Sequence, residues 1–290
     1  MKTENQKSSR LSLIFAMIIF GTIGLLRKYI DLPSSIIALA RAVIGTGFLL
    51  ALLLKKKQRP DLGAIRKNLP ALLLSGAVLG FNWILLFEAY LYTTVAAATL
   101  CYYMAPMLVI LASAVLFREK LTWKRLLCVL VALAGIVLVS GILDTGFGGT
   151  AELKGIALGL GAAALYAAVV LLNKKISGIS SLDRTILQLA VAATVLLPYT
   201  LLTEDWSQLQ PDSTGLLMLL VAGIVHTGLA YALYFGSIRA LPTQTVALYS
   251  YLDPILAVLL SALFLREPIS PAGIVGAVLV LGAAVFSERT

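Results

Sequence analysis

One pattern occurs twice in this chain, and it limits the possible folds more than any other feature. Cys101–Glu119, CYYMAPMLVILASAVLFRE, and Tyr249–Glu267, YSYLDPILAVLLSALFLRE, align at an offset of 148 residues. Leu100/Leu248, Tyr103/Tyr251, Pro106/Pro254, Ser113/Ser261, Ala114/Ala262, Arg118/Arg266 and Glu119/Glu267 coincide. Upstream, so do Gly80/Gly228, Leu85/Leu233 and Phe87/Phe235. Each copy is too long for an ordinary strand, holds a proline near its middle and closes on Arg-Glu. A proline removes one backbone hydrogen bond and kinks the helix that carries it. Pro106 and Pro254 are therefore the expected helix breaks.

The rest of the chain sets the solvent. Hydrophobic residues make up 60% and charged ones 13%, with a mean hydropathy of +0.96; soluble domains run near a quarter charged. Apolar runs of roughly 17–25 residues match a bilayer core. They predict ten spans, at 11–29, 34–54, 69–91, 94–117, 123–142, 155–174, 182–203, 214–238, 243–265 and 271–287. In lipid, backbone groups must be satisfied internally, so runs this apolar are helices. The expectation is an all-α polytopic membrane protein, with the lipid bilayer as partner and no soluble domain left over.

The net charge of +9 is a topology signal. With the N-terminus inside, eighteen of the 23 lysines and arginines fall on cytoplasmic segments, four (Arg27, Lys28, Lys154, Arg266) on the other side, and Arg41 within a span. That bias puts both termini in the cytoplasm of a cell-membrane protein. No folded soluble surface remains to present the charge to nucleic acid. The first apolar segment imitates a signal peptide but lacks a small-residue cleavage site, and is read as a retained span. Cys101 and Cys128 stand singly inside spans and read as core residues.

The duplication extends further. Phe20-Gly21 and Arg27-Lys28 match Tyr166-Ala167 and Asn173-Lys174 at an offset of 146, and Arg41 falls against Gln188. The repeat unit is thus five helices, residues 1–147 and 148–290. Five is odd, so the second copy enters the membrane inverted, the plan of secondary transporters whose substrate site lies between Pro-interrupted segments. Two five-helix repeats, each with Pro, a long apolar run and a closing Glu (Pro106…Arg118-Glu119-Lys120-Leu121 and Asp253-Pro254…Arg266-Glu267-Pro268-Ile269), resemble the EamA branch of the drug/metabolite transporter superfamily. The resemblance implies ten helices, export of amino acids or other small metabolites, and a cavity lined by spans 1, 3, 4, 6, 8 and 9. Where that family usually has Trp before Gly in span 1, this chain has Phe20-Gly21.

Ionisable residues inside a membrane are functional candidates by default. Asp253 falls near the midplane, directly before Pro254. It reads either as a proton or cation site or as a carboxyl held by backbone groups that the proline frees. His226 reads as a proton relay with Asp253 or as a neutral histidine bonded between helices. Arg41 and Glu88 lie at similar depths; a structural ion pair is expected, with a substrate carboxylate on Arg41 as the alternative. Asn82, Trp83, Tyr102, Tyr103, Tyr231, Tyr234, Tyr249 and Tyr251 supply polar-tipped groups suited to a partly wet pocket, whereas Tyr90 and Tyr92 read as interfacial. Gly159-Leu160-Gly161-Ala162-Ala163-Ala164 imitates a dinucleotide motif but lies inside an apolar helix; with Gly155, Gly76 and Gly80 it reads as close helix packing.

The function expected is transport of small organic solutes by alternating access, with efflux as the direction and protons as a candidate coupling ion. A drug, cation or nucleotide-sugar carrier is the alternative within that class. A channel or scaffold is the alternative outside it. No catalytic residue, cofactor or metal is expected: paired-aspartate hydrolysis needs a second buried Asp, and His226 is the only histidine.

Overall fold

The computed structural model describes residues 2–55, 61–116, 122–139, 150–238 and 241–287. Among them every regular element is helical. The helices are α1 (Lys2–Gly21), α2 (Ile23–Arg27), α3 (Ser34–Lys55), α4 (Leu62–Lys67), α5 (Leu69–Tyr92), α6 (Val95–Tyr102), α7 (Ala105–Leu116) and α8 (Trp123–Val139). There follow α9 (Thr150–Lys175), α10 (Ser181–Thr203), α11 (Ser213–Gly223), α12 (Ala230–Ile238), α13 (Thr243–Ser250), α14 (Leu252–Phe264) and α15 (Pro271–Ser287). A π-helical stretch, Ile224–Leu229, joins α11 to α12. Seven helical segments of the described residues are long and apolar enough to cross a membrane, from Lys7–Arg27 to Ser213–Ser237. α8, α14 and α15 are apolar but shorter, at 17, 13 and 17 residues. Arg118 and Glu119, which close the first copy of the pattern, lie outside the described residues, as do Lys57 and Asp144.

Both proline-bearing segments break, and at equivalent places. α6 stops at Tyr102 and α7 resumes at Ala105; α13 stops at Ser250 and α14 resumes at Leu252. Proline has no N–H, so the carbonyl four residues back, that of Tyr102 or Ser250, loses its helical donor and the last turn opens. α14 then ends on Arg266 at φ 53, with the Glu267 N–H bonded to Ser261 O at 3.2 Å. This left-handed cap is ordinarily filled by glycine, and it turns Glu267 back toward the bundle.

The closest packing runs between the two halves of the sequence. α5 packs on α9 and α10, α1 on α12 and α14, α3 on α10, and α8 on α15. Small residues permit the approach. A Cβ at Gly76 would stand 2.7 Å from Gln188 O, and one at Gly155 would stand 2.8 Å from Thr93 N. Gly159 lies as tightly on Cys101, so the glycine run of α9 is a packing face. Cys101 and Cys128 are free and buried.

Candidate functional site

The two helix breaks meet. Tyr103, in the gap between α6 and α7, donates its hydroxyl to Asp253 Oδ2 at 2.8 Å, and Ser250 O lies 3.3 Å from the same hydroxyl. Ser250 O is the carbonyl that Pro254 deprives of a donor. One hydroxyl proton between two acceptors permits two arrangements. When Asp253 is ionised, Tyr103 donates to it; when Asp253 is protonated, the acid donates to Tyr103, which turns to Ser250 O. A proton can be held or released here with the carboxyl and the hydroxyl paired in both arrangements, while Ser250 O gains its donor in the protonated one. α1 closes over the site at Gly21, where a Cβ would stand 2.8 Å from Asp253 O.

Aromatic rings surround this point. Tyr102 stands 5.5 Å from Tyr166 and 6.5 Å from Tyr103, centroid to centroid. Phe20 stands 5.5 Å from Tyr231 and 6.4 Å from Tyr234. Asn82 donates to Ala162 O at 2.6 Å and accepts from the Tyr102 hydroxyl at 3.4 Å, so it both ties α5 to α9 and orients Tyr102. Tyr166 is 39% exposed although Tyr102, Tyr231, Tyr234 and Asp253 are its neighbours.

Arg41 stands on another wall. It is 5% exposed, and its one hydrogen bond to a described residue runs from Nε to Thr227 Oγ1 at 3.1 Å. Its guanidinium lies 4.2 Å above the Trp83 ring and 5.2 Å from that of Phe87. The ion pair expected between Arg41 and Glu88 does not form; Glu88 accepts from Ser34 Oγ at 2.7 Å instead. Depth alone was the wrong criterion. Trp83 and Phe87, four residues apart, make the face of α5 that Arg41 meets, and Glu88 lies about 100° further round. Between described residues the one ion pair is Lys28–Glu267, so Arg41 has no carboxylate partner among them.

Thr227 and His226 owe their positions to the π-helical stretch, a bulge common at functional sites. Thr227 donates to Ala222 O, five residues back, at 3.0 Å. His226 Nε2 lies 2.9 Å from Thr22 Oγ1 and Nδ1 lies 3.3 Å from Val221 O. Thr22 Oγ1 also donates to Ile19 O at 2.7 Å. His226 thus bonds between helices, and none of its hydrogen bonds to described residues reaches Asp253.

Of the expected site residues, Tyr102, Tyr103, Tyr231, Tyr234, Asn82 and Asp253 come together, and Trp83 joins them through Arg41. Tyr249 packs instead against the Leu13–Met17 cluster, and Tyr251, 6% exposed, belongs to the core around Met104. Tyr90, expected at the membrane interface, is 2% exposed, with its hydroxyl 3.3 Å from that of Thr99. Tyr166, Thr22 and Thr227 were not anticipated, although Tyr166 stands opposite Phe20 in the repeat. A further contact crosses one end of the bundle. Glu267 accepts from the Val95 N–H at 2.8 Å and lies 3.7 Å from Lys28 Nζ, which donates to Tyr90 O at 2.7 Å.

Comparison with known proteins agrees with these elements. The model of the EamA-like transporter family matches residues 8–141 and 153–288. An uncharacterized transporter of Bacillus subtilis (strain 168), YxxF, is 32% identical over 266 residues, covering 90% of this chain and 84% of its own. Protein RarD of Salmonella typhi is 27% identical over 271 residues, covering 90% and 88%. Protein PecM of Dickeya dadantii (strain 3937) is 27% identical over 251 residues, covering 83% and 82%. One crystal structure superposes with a TM-score of 0.67 over 98% of this chain and 97% of that one, at 22% identity, a likeness of fold alone.

Proposed function

Since the chain belongs to the EamA-like transporter family, within the drug/metabolite transporter superfamily, and is a multi-pass membrane protein, we propose that it exports small zwitterionic solutes by alternating access. The observation that carries this reading is a pair of opposite charges, Arg41 and Asp253, neither with a charged partner among the described residues, around one tyrosine-lined space. Tyr90 lies within electrostatic reach of both. Arg41 takes the substrate carboxylate with the terminal nitrogens that make no hydrogen bond to described residues. Asp253 takes the ammonium or the coupling proton. Tyr102, Tyr166 and Tyr231 hold the apolar part between them.

The bundle on this reading is ten helices in two inverted repeats, residues 1–147 and 148–290, with both termini in the cytoplasm. What supports the inversion is that packing pairs occur in matched sets. α5 on α9 corresponds to α12 on α1, and α5 on α10 to the α11–α12 region on α3. α8 on α15 and α3 on α10 map onto themselves. Amino-acid-like metabolites are the substrate class, and the excess of lysine and arginine on the loops assigned to the cytoplasm supports the orientation.

The test is transport in proteoliposomes. Asp253→Asn is expected to retain counterflow of a zwitterionic substrate while losing accumulation driven by a pH gradient. A variant that concentrates substrate on the gradient as well as the parent removes Asp253 from coupling and leaves His226 as the next group to substitute.

A further inference from the structure

A cavity of about 760 Å³ opens at the end of the bundle where α2 turns into α3, beside the ends of α5 and α10. It is separate from the space around Asp253, since none of Asp253, Arg41, Tyr102, Tyr103, Tyr166 or Tyr231 lines it. Its charges do not cancel. Two cations, Arg27 and Lys28, face three carboxylates, Asp31, Glu88 and Glu204.

Both cations are already engaged. Arg27, 4% exposed, donates from Nη1 to Ile30 O at 2.6 Å and from Nη2 to Leu32 O at 3.3 Å and Ser34 Oγ at 3.4 Å. Two donors remain, the second Nη1 hydrogen and Nε, and Nε is sealed from solvent. Lys28 is occupied by Tyr90 O and Glu267. The carboxylates differ. Glu88 accepts one hydroxyl from Ser34 and Glu204 one from Ser35, whereas an ionised carboxylate offers about four acceptor positions. The adjacent serines at the start of α3 thus hold two carboxylates, from α5 and from the end of α10, with most of their accepting capacity unused. The remaining wall is apolar and aromatic: Ile84, Tyr199 and Leu91, the last 52% exposed at the rim.

We propose that this cavity binds an alkylammonium ion, its primary ammonium set between Glu88 and Glu204 and its apolar part laid over Tyr199, Ile84 and Leu91. Three N–H donors suit two carboxylates, and the Tyr199 ring adds a cation–π surface. An acid end of a zwitterion finds no free cation here, which separates this cavity from the site at Arg41. The same ammonium chemistry is offered by a free amine and by an aminophospholipid headgroup.

The experiment titrates the purified full-length chain in detergent with n-butylamine, using n-butanol as the neutral isostere, and follows heat by calorimetry. Saturable binding of butylamine without binding of butanol is expected, weakened at least about tenfold by Glu204→Gln and abolished in Glu88→Gln/Glu204→Gln. Size-exclusion elution identical to the parent certifies the variants' fold, and the butanol comparison on the parent needs no variant. In nanodiscs, competition by phosphatidylethanolamine but not phosphatidylcholine identifies a lipid headgroup as the occupant; equal binding in both identifies a free amine. Butanol binding as well as butylamine overturns the proposal. So does binding that survives the double substitution but is lost in Asp253→Asn, because the amine then occupies the central site.

Discussion

Replacing Arg41 by methionine separates two roles that a buried cation can have. The variant loses one hydrogen bond to Thr227, about 0.5–1.5 kcal/mol. It also loses the stacking over Trp83 and Phe87, about 1–2 kcal/mol at a desolvated site. Against this it removes a charge whose burial costs several kcal/mol and which no described carboxylate offsets. Thr227 keeps its bond to Ala222 O, so no polar group is orphaned. Methionine fills much of the volume of the arginine stem. The net is near zero or favours the variant, whereas truncating an ordinary core side chain costs about 2–5 kcal/mol. Thermal unfolding in detergent should therefore place Arg41→Met within a few degrees of the parent or above it. Counterflow of carboxylate-bearing substrates in proteoliposomes should fall at least about tenfold. Destabilisation beyond about 3 kcal/mol would make Arg41 a structural group, and unchanged amino-acid counterflow would remove it from the site; either result refutes the reasoning.

Three further outcomes are expected. Glu267→Gln breaks the contact with Lys28 at the end of α14, worth about 1 kcal/mol or less; a cysteine placed at Tyr166, in a background lacking Cys101 and Cys128, should then react up to about fivefold faster with an impermeant maleimide added outside. Gly155→Val drives a side chain into the Thr93 backbone and should sharply lower the yield of monodisperse protein, whereas the same change at Gly282, which has open space around it, should not. Cysteines at Lys57 and Lys175 should label only from the cytoplasm and those at Asp144 and Pro211 only from outside; outside labelling at Lys57 would overturn the orientation.

The sequence made the helix breaks legible because proline acts locally: a missing N–H frees a carbonyl at a fixed distance along the chain, whatever surrounds it. Position along a helix axis was also readable, at 1.5 Å per residue. Direction around the helix axis was not. Arg41 and Glu88 face different neighbours, and Tyr251, in the break itself, and Tyr249, just before it, pack into hydrophobic clusters. The π-helical stretch is a second reason. One extra residue in a turn rotates His226 and Thr227 relative to a regular helix, and nothing in Ile224–Leu229 announces it. Tyr166 escaped notice because its partner rings come from α6 and α12, and a single span gives no sign of that convergence.

The packing of the two halves on each other has a consequence for how the chain is made. α5 is complete at Tyr92, but its partner α9 is complete only at Lys175. At roughly 5–20 residues per second, translation separates them by about 4–17 s. Over that interval the Asn82 side chain of α5, whose partner is Ala162 O of α9, has only lipid, or the insertion machinery, to lie against, and the Gly76–Gly80 face waits longer still, for α10, which is complete at Thr203. The nascent first half is then a substrate for whatever holds polar, small-residue helix faces in the bilayer, and release from that holder must wait for the second half to emerge.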